Sequence, residues 1–99
     1  MTNALNKAVK KHMDKLNLYV PIVARVHGKH HTEFYEVQKL FDAIRGKIKD
    51  AKDDKPDLDS EFKRLREVTD NYTVPNDVCE SYEAVYLMLA DWDRAYQED

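Results

Sequence analysis

The stretch Leu65–Tyr96, LREVTDNYTVPNDVCESYEAVYLMLADWDRAY, decides the fold of this 99-residue chain. Its second half carries apolar and aromatic residues at steps of four and three, a spacing that places them on one face of a helix. A helix with such a face is stable only when other helices cover it. The stretch therefore predicts a helix inside a bundle, with an apolar seam formed by Val78, Tyr82, Val85, Leu89, Trp92 and Tyr96.

Periodicity of the same kind predicts three more helices, so that the four lie at about 3–27, 32–49, 58–70 and 74–97. The connections between them are short, which favours an all-α, up-down-up-down antiparallel four-helix bundle in a single domain over residues 1–99. The residues predicted to face the core in the first three helices are Leu5, Val9, Met13, Leu16, Val20, Val23, Val26, Phe34, Val37, Leu40, Phe41, Ile44, Ile48, Leu58, Phe62, Leu65 and Val68.

Four residues mark the predicted ends and interruptions of helices. Pro21 removes an amide from helix one and predicts a kink or break there. Gly28 suits the left-handed position after that helix. Thr73 is a candidate N-cap of helix four, with Pro75 in its first turn.

Composition narrows the functional classes. The net charge of −3 comes from mixed signs and predicts no nucleic-acid binding. No apolar run approaches the roughly 20 residues of a membrane span, and the N-terminus has no apolar signal region. With its single cysteine, the chain fits a cytoplasmic protein. The sequence contains no nucleophile–base pair, phosphate loop or nucleotide motif, so we predict that it is not an enzyme.

A histidine cluster is the first candidate site. His27, His30 and His31 lie within five residues, and three imidazoles can bind a divalent metal. The H-x-x-H-H spacing matches no closed tetrahedral site, so a solvated turn with a capping histidine is the preferred interpretation. Mononuclear metal binding by the three histidines remains the alternative.

Three other features have structural interpretations that we prefer. Cys79, in the predicted first turn of helix four, is expected to be a small, partly buried core residue. The acidic segment lacks the glycine and the terminal glutamate of a calcium loop and is expected to be solvated; it contains Asp50, Asp53, Asp54, Asp57 and Asp59. The aromatic residues of helix four are expected to be mostly core, with Tyr86 and Trp92 able to rim a partner surface.

Two segments, VARVHGKHHTEFYEVQKLFDAI and LREVTDNYTVPNDVCESYEAVYLMLADWD, resemble the RIC family. These are hemerythrin-like di-iron proteins for the repair of iron centres, also called iron–sulfur cluster repair proteins. The resemblance rests on the VHG after helix one, the E-V-x-x-L-F pattern of helix two and an N-Y-T-x-P-x-x-x-C signature. Its motif residues here are His27, Gly28, Thr73, Pro75, Cys79, Tyr82 and Tyr86. It implies a hemerythrin-like bundle with a di-iron site near one end.

The chain departs from the family where the iron ligands are expected. Those positions fall near Asn6, in Ala51–Lys55 and near Asp99, so the bundle is expected to be shortened at its metal end and to hold no cofactor. The resemblance then implies a protein-interaction or accessory module related to iron–sulfur cluster repair and stress response, with a homo-oligomer or another protein as partner. The alternative is a working repair protein whose iron site forms between chains.

Overall fold

The computed structural model describes residues 4–52 and 54–98, and this part of the chain is all-α. It forms α1 (Ala4–His27), α2 (Glu33–Ala51), α3 (Asp59–Val68) and α4 (Glu80–Glu98). Between these helices the described residues form turns and loops, without a strand. No helix in the described ranges is long and apolar enough to cross a membrane. The all-α class and the four predicted helices are therefore confirmed.

The seam of α4 forms the centre of the core, as its periodicity predicts. Tyr82, Val85, Leu89 and Trp92 are fully buried, and Tyr96 is nearly so. The ring of Trp92 lies against Phe41 of α2, with 5.9 Å between the ring centroids. The other helices, and Leu58 directly before α3, contribute the buried residues Leu5, Leu16, Val20, Val23, Ala24, Phe34, Val37, Ile44, Leu58, Phe62 and Leu65.

α1 packs along α4 in the opposite direction. Near the start of α1, the Ala8 carbonyl accepts a hydrogen bond of 3.0 Å from Trp92 Nε1, near the end of α4. At its other end, His27 Nε2 lies 3.2 Å from the sulfur of Cys79, which directly precedes α4. Since the partners on α4 come earlier in sequence as α1 advances, these two helices are antiparallel.

Polar contacts join α3 to its two neighbours. Lys47 of α2 pairs with Glu61 of α3 at 2.8 Å. The Tyr96 hydroxyl of α4 donates to Asp59 Oδ1 at 2.8 Å and accepts the Leu58 amide at 3.1 Å. The start of α3 is thereby held against the end of α4.

The structure contradicts two expectations about α1, a break at Pro21 and a buried Val26. The helix runs through Pro21 without a break; Pro21 is exposed, so the carbonyl of Asn17 loses its helical partner at the outer surface of the helix. Val26 was expected to face the core, yet its side chain is exposed. Ala24 is buried in the last turn instead, and this leaves Val26 on the outer side. The predicted start of α1 at residue 3 lies outside the described residues.

α4 begins six residues later than predicted, at Glu80 rather than 74. Thr73 is therefore not its N-cap: the Thr73 hydroxyl donates to the carbonyl of Asp70 at 2.6 Å. Pro75 lies in the preceding loop, where it disfavours helical geometry for Val74. The loop starts with three left-handed residues, Asp70, Asn71 and Tyr72, which turn the chain sharply after α3. α2 and α3 differ from their predicted bounds only at their ends.

Candidate functional site

The two segments that carry the family resemblance meet at one end of the structure. His27 closes α1, and its Nε2 lies 3.2 Å from the sulfur of Cys79, 52 residues further along the chain. The rings of His27 and His31 each lie 5.6 Å from the ring of Tyr82, centroid to centroid, in edge-on contacts. We call His27, His31, Cys79 and Tyr82 the motif cluster.

Gly28 allows the chain to leave α1 close to the start of α2. Its φ is not positive, so the predicted left-handed role is wrong. Its amide donates to the Ala24 carbonyl at 3.0 Å and continues the helical pattern. A Cβ on residue 28 would lie 2.4 Å from that carbonyl oxygen and 2.4 Å from Cζ of Tyr35. A glycine is therefore required at position 28 because the Ala24 carbonyl and the Tyr35 ring lie so close to its Cα, and not because of an unusual φ.

His31 is the most enclosed of the three clustered histidines. Its Nδ1 lies 3.1 Å from Glu33 Oε1, and its Nε2 lies 3.1 Å from Asp77 Oδ1. Nε2 itself is buried. Its contact with the Asp77 carboxylate lacks the geometry of a hydrogen bond, so the interaction is electrostatic. His30 is exposed. The fold thus brings His27 and His31 to Tyr82 and leaves the His30 side chain at the surface.

Two tyrosines of α4 line the inner side of the motif cluster. The hydroxyls of Tyr82 and Tyr86 lie 3.1 Å apart, and Tyr82 also donates weakly to Glu33 at 3.5 Å. Burial, followed by the hydrogen bond with Tyr86, raises the pKa of Tyr82 well above its usual value; burial likewise raises the pKa of Tyr86. Both phenols stay protonated at neutral pH, so neither serves as a base. Because Tyr86 and Trp92 are buried, the prediction that they rim a partner surface is wrong.

Cys79 differs from its prediction in both position and exposure. It is exposed rather than partly buried. It precedes α4, and its carbonyl accepts the Glu83 amide at 3.2 Å. An open cavity of about 280 Å³ lies beside it, lined by Val74, Pro75, Asn76, Val78 and Glu83. The thiol and His27 therefore stand at the protein surface.

The described residues do not fit a di-iron group. Such a centre in a helical bundle takes several inward carboxylates and histidines. Within residues 4–52 and 54–98, no group of three or more histidine, cysteine, aspartate or glutamate side chains is placed to hold a metal ion. The histidine cluster and the described part of the acidic segment fall under this finding, whereas Asp53 and Asp99 lie outside the described residues.

The outer side of α1 and α4 carries apolar residues that were not predicted to be exposed. Leu18, Val26 and Leu87 are each 58% exposed, and Ile22 is 37% exposed. Leu18, Ile22 and Val26 recur at steps of four, so they form a second line along α1. This four-residue repeat could have predicted the exposed apolar line, but the core-facing residues of the same helix form a stronger pattern that obscured it.

No family model matches this chain, and no solved structure matches it.

Proposed function

We propose that this chain is a RIC-like helical protein that acts as a protein-interaction or accessory module in iron–sulfur cluster repair and the stress response. In this proposal the bundle is up-down-up-down, hemerythrin-like and shortened at the end where the family holds iron. The protein works in the cytoplasm and recognises a partner rather than carrying out chemistry.

One observation carries the proposal: residues from the two segments that resemble the family lie together at one end of the structure, where Cys79 is exposed. His27 contacts Cys79, and Tyr82 contacts both His27 and His31, although these residues come from distant parts of the chain. Pro75 and Cys79 also line the same open cavity. A surface flanked by the residues of this signature, without a set of metal ligands, is suited to recognition of a partner.

Site-specific photo-crosslinking in the native cells tests this function. A photoreactive amino acid replaces exposed Asn76 beside Cys79, and a control carries it at exposed Lys63 on α3. Under nitric oxide stress, position 76 should capture an iron–sulfur protein or a component of its repair machinery, and position 63 should not. Identical products from both positions would contradict the proposal.

Metal content gives a second, independent test. The purified protein, produced with iron supplementation, should contain far less than one iron per chain. Two irons per chain would overturn the interaction function and favour a repair protein with a site formed between chains.

A further inference from the structure

The outer side of the α1–α4 pair is an unpartnered face that is apolar along its middle. Leu18, Ile22 and Val26 follow one line on α1, and Leu87 projects from α4. Because 18 residues make five helical turns, Ile22 lies on the same side of α1 as Ala4, and Val26 on the same side as Ala8. Ala4 and Ala8 line the open groove between α1 and α4. The apolar line therefore continues that groove.

The register of the two helices places Leu87 near Leu18. His12 Nε2 lies 2.9 Å from Asp91 Oδ2 and fixes the level at which α1 and α4 meet. The helices are antiparallel, so residue 87, one turn before Asp91, lies level with residue 16, one turn after His12. Leu18 follows half a turn later. One apolar centre is therefore shared by both helices.

The two helices carry opposite charge. α1 has five lysine or arginine residues against one aspartate. α4 has four acidic residues against one arginine, apart from the buried Asp93. At one end of the face, Lys7 and Lys11 line the groove opposite Asp91 and Glu98, and Arg94 lies between these two acidic residues and pairs with Asp91. At the other end, Arg25 of α1 is level with exposed Glu80 and Glu83 of α4. The face thus consists of a basic strip beside an acidic strip.

We infer that this face binds a second copy of the same chain, with α1 of each copy lying against α4 of the other. A two-fold axis running parallel to the helices produces this arrangement, since it exchanges the two strips. Leu18 then meets Leu87 of the second copy at the centre, and the basic strip meets the acidic strip along the whole length. A two-fold axis across the helices is disfavoured because it places the basic strip of one copy against the basic strip of the other.

The acidic strip reaches Glu83, which also lines the cavity beside Cys79, but Leu18, Leu87 and Lys11 lie outside the motif cluster. Substitutions at these three positions therefore separate failure of the dimer from failure of the proposed function. If the chain does not self-associate but the photoreactive residue at position 76 still captures its partner, only the dimer is disproved. If the chain dimerises but position 76 captures no iron–sulfur protein and no repair component, only the proposed function is disproved.

Sedimentation of the full chain, from micromolar to millimolar concentration, tests the dimer. We expect a reversible dimer that weakens as salt is raised, because the strips at the rim are solvent-exposed. Leu87→Glu and Lys11→Glu should each raise the dissociation constant by about tenfold or more, whereas the control Lys63→Glu should not. A chain that stays monomeric at millimolar concentration, or a dimer indifferent to Leu87→Glu, overturns the inference. Circular dichroism confirms that each variant is folded.

Cysteine pairing tests the arrangement of the two copies. In a Cys79→Ser background, a mixture of Leu18→Cys and Leu87→Cys chains should form a mixed disulfide dimer under mild oxidation. Leu18→Cys alone should form little. Efficient pairing of Leu18→Cys with itself, without the mixed product, would show that α1 lies on α1 and would overturn the proposed arrangement.

Discussion

Tyr72 donates its hydroxyl to Asp93 Oδ2 at 2.8 Å and so ties the left-handed turn after α3 to the buried side of α4. Arg66 Nη1 contacts both oxygens of the same carboxylate at 2.7 Å, and Gln97 Nε2 donates to it at 3.2 Å. Asp93 is 5% exposed. A buried carboxylate with this many donors joins α3, the turn and α4 at one point.

Replacement of Asp93 should therefore destabilise the protein strongly. Asp93→Ala leaves the Tyr72 hydroxyl and the Arg66 guanidinium without their acceptor. We expect a loss of about 2–4 kcal/mol in the free energy of unfolding, reduced from a fully buried pair because Arg66 is partly exposed. Urea denaturation followed by Trp92 fluorescence measures it. Asp42→Ala, which removes a surface carboxylate that pairs with Arg45, should change stability by less than about 1 kcal/mol. Equal losses in both variants would contradict the role of Asp93.

Stability should also fall at alkaline pH because of Tyr72. Burial, then the hydrogen bond to Asp93, raises the pKa of Tyr72 well above its ordinary value of about 10. Above about pH 10 the unfolded chain releases the phenolic proton of Tyr72, while the folded chain keeps it. Stability is thus complete below pH 10 and falls above it, by up to about 1.4 kcal/mol per pH unit for each such tyrosine.

Tyr72→Phe isolates this contribution. At neutral pH the variant should be less stable by about 1 kcal/mol, because it lacks the bond to Asp93. The difference should shrink as the pH rises toward about 11.5, since phenylalanine has no proton to lose. Denaturation curves across this range provide the measurement. If the difference in the free energy of unfolding between the two proteins stays constant with pH, the pKa of Tyr72 is the same in the folded and unfolded chains, and the prediction is wrong.

Periodicity predicted the helices and most of the core because side-chain spacing directly determines which face of a helix is apolar. The seam of α4 and the burial of Phe34, Phe41 and Phe62 follow from it. Helix ends were harder to predict. Thr73 and Pro75 satisfy local rules for a helix start, yet the left-handed turn at Asp70–Tyr72 and its bond to Asp93 direct the chain elsewhere. That competition depends on a contact 21 residues away along the chain.

The candidate site was predicted in its residues but not in its geometry. The family resemblance identified His27 and Cys79 in two separate segments. No local pattern in the sequence predicts that their side chains are in contact. The contact between them depends on α1 and α4 packing along their full length. Exposure was equally hidden: Val26 falls three residues after Val23 and so looks like a core position, but it lies in the last turn of α1, on the side away from the core.

The two glycines provide a matched pair for the last prediction. Gly28→Ala should destabilise the protein by about 1–3 kcal/mol, because the new Cβ meets the Ala24 carbonyl oxygen at 2.4 Å and that backbone atom has little freedom to move. Gly46→Ala, inside α2 with nothing within 4 Å of the new methyl group, should stabilise it by about 0.5–1 kcal/mol through helix propensity.

Thermal and urea unfolding of the two variants should therefore give shifts of opposite sign. Adding Tyr35→Ala to Gly28→Ala separates the two clashes. It should recover only part of the loss, since it removes the ring contact but not the carbonyl contact. Full recovery would show that the Tyr35 ring alone requires glycine at position 28. A neutral Gly28→Ala would show that α1 and α2 separate easily, and that the close approach beside His27 is not under steric constraint.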